Sequence, residues 1–125
     1  MDKTLLNRVN WQMHKGEKYL FYDFSDLDSR EIFEVSLNTI EIIRKENDKS
    51  VITLVDTTNA EMSFNTILTL RRFSKESQQY IKKSAIVINN EDITFLFNTY
   101  KNFTNSKAVL FKTKEQALAY LFPSS

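Results

Sequence analysis

Five residues in mid-chain, Val51-Ile52-Thr53-Leu54-Val55, make an almost unbroken apolar run that stops at Asp56. β-branched side chains pack well on a pleated surface and are less suited to a helix. A strand without polar alternation needs cover on both faces, as a central strand has in a helix-flanked, mostly parallel sheet. Thr57, Thr58 and Asn59 follow Asp56, and Ser63 then opens a helical pattern. Open α/β sheets collect their functional groups at this carboxyl end of the strands. Asp56, Thr57, Thr58, Asn59 and Ser63 are therefore the candidate working loop.

The flanking chain supplies partners for such a strand. Val9–Met13 alternates, His14-Lys15-Gly16-Glu17 reads as a polar turn, and Lys18–Phe24 is aromatic and apolar, so the two runs form an antiparallel pair. Asp28 and Glu31 have capping-box spacing. They open an amphipathic helix to about Glu46 with Ile32, Phe33, Ser36, Leu37, Ile40 and Ile43 at helical intervals. Ser63 caps a second pattern through Phe64, Ile67, Leu68, Arg71, Phe73, Tyr80 and Ile81, either one long helix or one broken near Ser74–Ser77. Ser84–Ile88 is another apolar run. Asn89 to Asp92 then lead into a helix with Ile93, Leu96, Phe97, Tyr100 and Phe103 on one face. Ala108–Phe111 reads as a strand, and Thr113 caps a last helix, Lys114–Phe122. Strands that alternate with helices imply right-handed parallel crossovers. The expectation is an α/β fold: one domain over residues 1–125, about five mostly parallel strands with an antiparallel N-terminal edge strand, and about four helices.

Composition removes several functions. A chain of 125 residues with 42% apolar content can build one core, and a net charge of +1 supplies no field for nucleic acid. There is no cysteine, so thiolate catalysis and cysteine-ligated metal are excluded. Gly16 is the only glycine, and no glycine-rich phosphate loop can be written around it. No run approaches the ~20 apolar residues of a membrane span, and the N-terminus lacks a signal-peptide core. The expected setting is cytoplasmic, with no cofactor, no metal and no catalytic residue.

The remaining constellations have plain alternatives. Asp23 and Asp56 end successive strands and could share a proton or a cation, although loop capping explains them more simply. His14 is the only histidine and belongs to the hairpin turn. Arg71, Arg72, Lys82, Lys83 and Lys101 could form a modest basic patch for an acidic partner, although most such charges simply solvate helix surfaces. Phe64, Phe73, Phe95 and Phe97 are the candidate interface, because Phe95 falls off the stripe set by Ile93, Leu96, Tyr100 and Phe103. Either that helix is deeply buried, or one aromatic side is left for a second chain, a protein partner or a symmetric homodimer.

The stretches YLFYDFSDLDSREIFEV, SVITLVDTTNAEMSFNTILTLRRFSK, YIKKSAIVI and KAVLFKTKEQALAYL, in this order, resemble the STAS-type SpoIIAA-like proteins, also grouped as STAS/SEC14 domains. The resemblance runs from about Met13 to Leu121. It implies an antiparallel N-terminal edge strand on a parallel sheet, and a regulatory module that acts by binding a partner. In the better-known members a Ser or Thr in an Asp-Ser-Ser-Gly-like sequence after the central strand is phosphorylated. Asp56-Thr57-Thr58-Asn59 is similar to that motif, with Thr57 or Thr58 as the acceptor. Thr stands for Ser and Asn for Gly, and Ala60, Glu61 and Met62 separate the hydroxyls from the helix start. The functional expectation is a partner-binding module around Asp56–Ser63. The alternative is a SEC14-like domain for a small apolar or anionic ligand, which an enclosed apolar pocket larger than about 300 Å³ would favour.

Overall fold

The computed structural model describes residues 3–91 and 108–123. Strands β1 (Val9–His14), β2 (Glu17–Asp23), β3 (Val51–Asp56), β4 (Ile81–Val87) and β5 (Ala108–Phe111) lie side by side in chain order. β1 is antiparallel to β2, and β2 to β5 are parallel. This is the expected α/β sheet with its antiparallel N-terminal edge. The helices are α1 (Lys3–Leu6), α2 (Ser29–Ile43), α3 (Phe64–Ser77) and α4 (Lys114–Leu121). α1 is a single turn that the sequence pattern does not announce. The expected helix over 93–103, with Phe95 and Phe97, lies outside the described residues. Three described helices are thus longer than one turn, against about four expected.

The caps form as the spacing predicts. Asp28 accepts the Glu31 N–H at 2.8 Å, and the Glu31 carboxylate accepts the Asp28 N–H at 3.0 Å. Ser63 accepts from the Thr66 N–H and Thr113 from the Gln116 N–H, each at 3.2 Å. Each bond satisfies an N–H that the first helical turn leaves open. The hairpin turns on two residues, Lys15 at φ 52° and Gly16 at φ 80°, the left-handed pair of a type I′ turn. His14 pairs with Glu17 at the end of β1 rather than sitting in the turn, and its ring lies 5.4 Å from that of Phe122.

Two expectations are corrected. Of the two readings of the second helix, the break near Ser74–Ser77 holds and the unbroken one does not: Tyr80 and Ile81 do not extend α3. The helix stops at Ser77, whose hydroxyl donates back to the Phe73 carbonyl at 3.0 Å, and a 3₁₀ turn delivers Ile81 into β4. In α2 the buried stripe is Ile32, Val35, Ser36, Thr39 and Ile43. Phe33 and Leu37 instead stay 42% and 47% exposed. A helix lying on a sheet buries one stripe, and Val35 and Thr39 occupy the side that touches the strands.

Strand alternation divides the interior in two. Leu20, Val51 and Ile81 pack with Ile32, Val35 and Ile43 of α2, and Leu70 of α3 joins them. Phe21, Ile52, Leu54, Ala85 and Val87 face the other way, onto Ala117, Leu121 and Phe122. Crossovers of one hand along a sheet that never reverses its order put α2 and α3 on the same face. The opposite face is left to α4. Lys83 anchors that helix, donating to the Tyr120 carbonyl at 2.7 Å and lying 4.3 Å from the Tyr120 ring centroid.

A Cβ on Gly16 would meet nothing within 4 Å. Gly16→Ala should therefore lose about 1 kcal/mol, the cost of left-handed backbone alone. Urea unfolding reads this loss, and an unchanged midpoint would show that the turn does not hold the hairpin.

Candidate functional site

The carboxyl rim of the sheet is built from one four-residue device used twice. Asp56 Oδ1 accepts the Thr58 N–H at 3.0 Å and the Thr58 hydroxyl at 2.6 Å. Asp23 Oδ1 accepts the Ser25 N–H at 3.1 Å and the Ser25 hydroxyl at 2.5 Å. The next residue is left-handed in both loops, Asn59 at φ 57° and Asp26 at φ 61°. Asn and Asp tolerate that region better than most side chains. The shared sequence is Asp-x-Ser/Thr-Asp/Asn, legible in DFSD and DTTN.

The register aligns Asp23 with Asp56, and the loops are stitched together. Phe24 N–H donates to the Asp56 carbonyl at 2.8 Å, and Asp26 N–H to the Thr58 carbonyl at 3.1 Å. Each carboxylate is engaged by its own turn. Asp23 also meets Arg8, whose Nη1 lies 3.5 Å from Oδ2. This is loop capping; among the described residues no group of three or more His, Cys, Asp or Glu side chains is placed to hold a metal ion.

The two threonines have different fates. Thr57 is 2% exposed, and both its N–H and its hydroxyl donate to the Val87 carbonyl, at 2.9 and 2.7 Å. It fastens β3 to β4. Thr58 is half-buried, and its hydroxyl is engaged only by Asp56. Asn59 and Ser63 are exposed, with an open polar groove beside them bounded by Asn89 and Glu91. Phe64 is 54% exposed and Phe73 half-buried, its ring 5.7 Å from Phe33 in an edge-on contact. Phe33 and Leu37 complete the apolar surface with Phe73. The residue pattern missed them because it assigned both to the core; their i, i+4 spacing beside the true core stripe is the signal that was there.

A second feature lies beneath α2 and α3. A cavity of about 120 Å³ runs along the sheet face, its wall including Tyr22, Thr53, Val55, Ile67 and Leu70. Thr53 donates its hydroxyl to Ser84 at 2.7 Å, and Thr39 returns its own to Val35. The Ser36 hydroxyl, on a residue 2% exposed, has no hydrogen-bond partner among the described residues. Burial pushes the Tyr22 phenol well above its ordinary range.

These features place the chain among known folds. A solved structure of an uncharacterized protein from Shewanella loihica PV-4, of the DUF3478 family and described as having a SpoIIAA-like fold, superposes with a TM-score of 0.67. The fold is SpoIIAA-like. The match covers 90% of this chain and 91% of the other at 15% identity. No family model matches the sequence, and no curated protein does. The SpoIIAA-like likeness therefore lies in backbone architecture, with few side chains in common. Among the described residues no helix is long and apolar enough to cross a membrane.

The burial difference between the threonines has a direct consequence. Thr57→Glu places a charge under β4 and should cost about 3–5 kcal/mol. Thr58→Glu, with a route to solvent, should change stability by less than about 1 kcal/mol. Equal losses in chemical denaturation would contradict this assignment of buried and reachable hydroxyls.

Proposed function

We propose that this SpoIIAA-like chain is a non-enzymatic module that acts by binding another protein through the outer side of α2 and α3 and the adjoining Asp56–Ser63 loop. The observation that carries the reading is the exposure of Phe33 and Leu37, one turn apart on α2 and continuous with Phe73. Large apolar side chains grouped at a surface mark contact sites more often than scattered ones do. The cavity, at about 120 Å³, is smaller than the roughly 300 Å³ that a drug-sized ligand needs. Thr58 is the hydroxyl through which phosphorylation would act. Breaking its bond to Asp56 and adding charge would disturb the rim beside the contact face. Thr57, held under β4, is a structural residue. A soluble cytoplasmic regulator is the setting this reading supposes.

The test compares proteins retained by the wild type with those retained by Phe33→Asp and Leu37→Asp. Both sites face water, so the variants should fold, and each should weaken a genuine partner by about 2 kcal/mol or more, as central apolar anchors do. An unchanged set of retained proteins would remove this face from the binding surface.

A second reading is favoured by Ser36. An unpaired buried hydroxyl in an apolar wall is costly unless something bonds it. A cavity of about 150 Å³ can hold benzene, so at about 120 Å³ a single small ring with one hydrogen-bonding group is the upper limit of what this one admits. Ser36→Ala should leave the urea midpoint unchanged or raise it, while Ser36→Leu should fill the space. Phenol titrated into the protein, followed by NMR, should shift signals from Tyr22 and Ile67 in the wild type and not in Ser36→Leu. Identical spectra throughout the wild-type titration would dismiss the ligand site.

A further inference from the structure

β1 is the antiparallel edge of the sheet, and its bonding directions follow from one contact. Asp23 N–H donates to the Arg8 carbonyl at 2.7 Å. In an antiparallel ladder, inward bonding falls on every second residue. Arg8, Asn10, Gln12 and His14 therefore bond toward β2, a parity that the two-residue turn closing on His14 and Glu17 also requires. Val9, Trp11 and Met13 present their N–H and C=O groups to the free edge. The same three side chains lie on one face of the sheet, with Trp11 38% and Met13 65% exposed.

We propose that a second copy of this chain pairs antiparallel along this edge, with a two-fold axis passing between the two Trp11 residues. Trp11 then bonds to Trp11 of the other copy, and Val9 to Met13, in both directions. All three outward residues of each chain are satisfied in one register, and the two sheets become continuous. A two-fold contact must be self-complementary, and this strand is. Across the axis an aromatic meets its equal, Val9 meets Met13, and the amides of Asn10 and Gln12 meet each other. Val9–His14 carries no Lys, Arg, Asp or Glu, so no like charges are opposed along the strand. Such charges are the usual means by which an edge resists pairing. A one-residue slip in register would set outward groups against inward-bonding ones and forfeit the ladder, while moving the axis onto Gln12 would keep the Trp11–Met13 bonds and leave Val9 opposite the turn.

One six-residue strand buries less than the roughly 800 Å² per partner of a standard stable interface. The dimer therefore dissociates on dilution, and the experiment is a concentration series. The surface is separate from Phe33 and Leu37, so this proposal stands or falls apart from the contact face on α2.

Sedimentation equilibrium from micromolar to millimolar chain should show the mass rising from 14.7 kDa toward twice that value. Trp11 is the chain's only tryptophan, and its emission should shift to the blue along the same curve. Amide exchange at Val9, Trp11 and Met13 should slow with concentration, while Asn10 and Gln12, already bonded to β2, stay constant. Trp11→Lys sets two cations on the axis and should weaken the dimer on the order of tenfold or more. Met13→Pro removes one outward N–H of each chain, which an edge tolerates, and should do the same in a folded monomer. Phe33→Asp should leave the curve in place. A single 14.7 kDa species throughout would overturn the proposal. So would a dimer that survives Trp11→Lys and Met13→Pro, or one lost in Phe33→Asp.

Discussion

The architecture depends on β3 being covered on both sides. Val51, Thr53 and Leu54 are each 2% exposed or less. The two cores meet only through the sheet: Val51 belongs to the layer under α2, and Ile52 and Leu54 to the layer under α4. A strand in that position cannot carry an unpaired polar group without loss. Its one polar side chain inside the run, Thr53, is bonded across to Ser84 of β4. Where β3 ends, Thr57 hangs its hydroxyl on the Val87 carbonyl. Two side-chain bonds to one neighbouring strand thus hold the register on the face where α2 and α3 pack.

The same requirement shapes the rim. A strand that leaves a sheet must turn sharply and still satisfy its backbone donors. Asp23 and Asp56 do this by taking both the N–H and the hydroxyl of the residue two places on. A left-handed residue then redirects the chain. The residue between, Phe24 or Thr57, is driven inward and is 2% exposed in both loops. That geometry explains why adjacent hydroxyls in DTTN are not equivalent. One is structural because the turn points it at β4, and the other faces outward because it answers to Asp56.

Much of this was written in local chemistry. The run Val51–Val55, the cap residues Asp28, Ser63 and Thr113, and the lone glycine at the hairpin each state their own conformation, and the SpoIIAA-like architecture follows from their order. What was not legible depended on distant parts of the chain. Phe33 and Leu37 look like core by hydrophobicity, and only the docking angle of α2 on the sheet decides that Val35 and Thr39 are the buried pair. Ile81 continues the apolar spacing of α3, yet its pairing with Val51 in β4 overrides that period. The Asp56–Asn59 turn follows β3 at the carboxyl rim of the sheet, as the order of the run and the polar residues after it states. The split between Thr57 and Thr58 required knowing that the Val87 carbonyl stands beside one of them.

The remaining step concerns where the molecule leaves apolar surface uncovered. Val9 of β1 packs with Ile32, Val35 and Ile43 of α2. Trp11 and Met13, on the same face further along the strand, stay 38% and 65% exposed, with the Lys18 ammonium 4.4 Å from the indole centroid. On the far side of α2, Phe33 and Leu37 point away from the strands that Ile32 and Val35 cover. The two exposures lie on different elements, the edge strand β1 and the outer surface of α2. They can therefore serve two different contacts without competing, one along the sheet plane and one across the helix layer. Ser36, in the wall of the cavity, belongs to the same helix as Phe33 and Leu37.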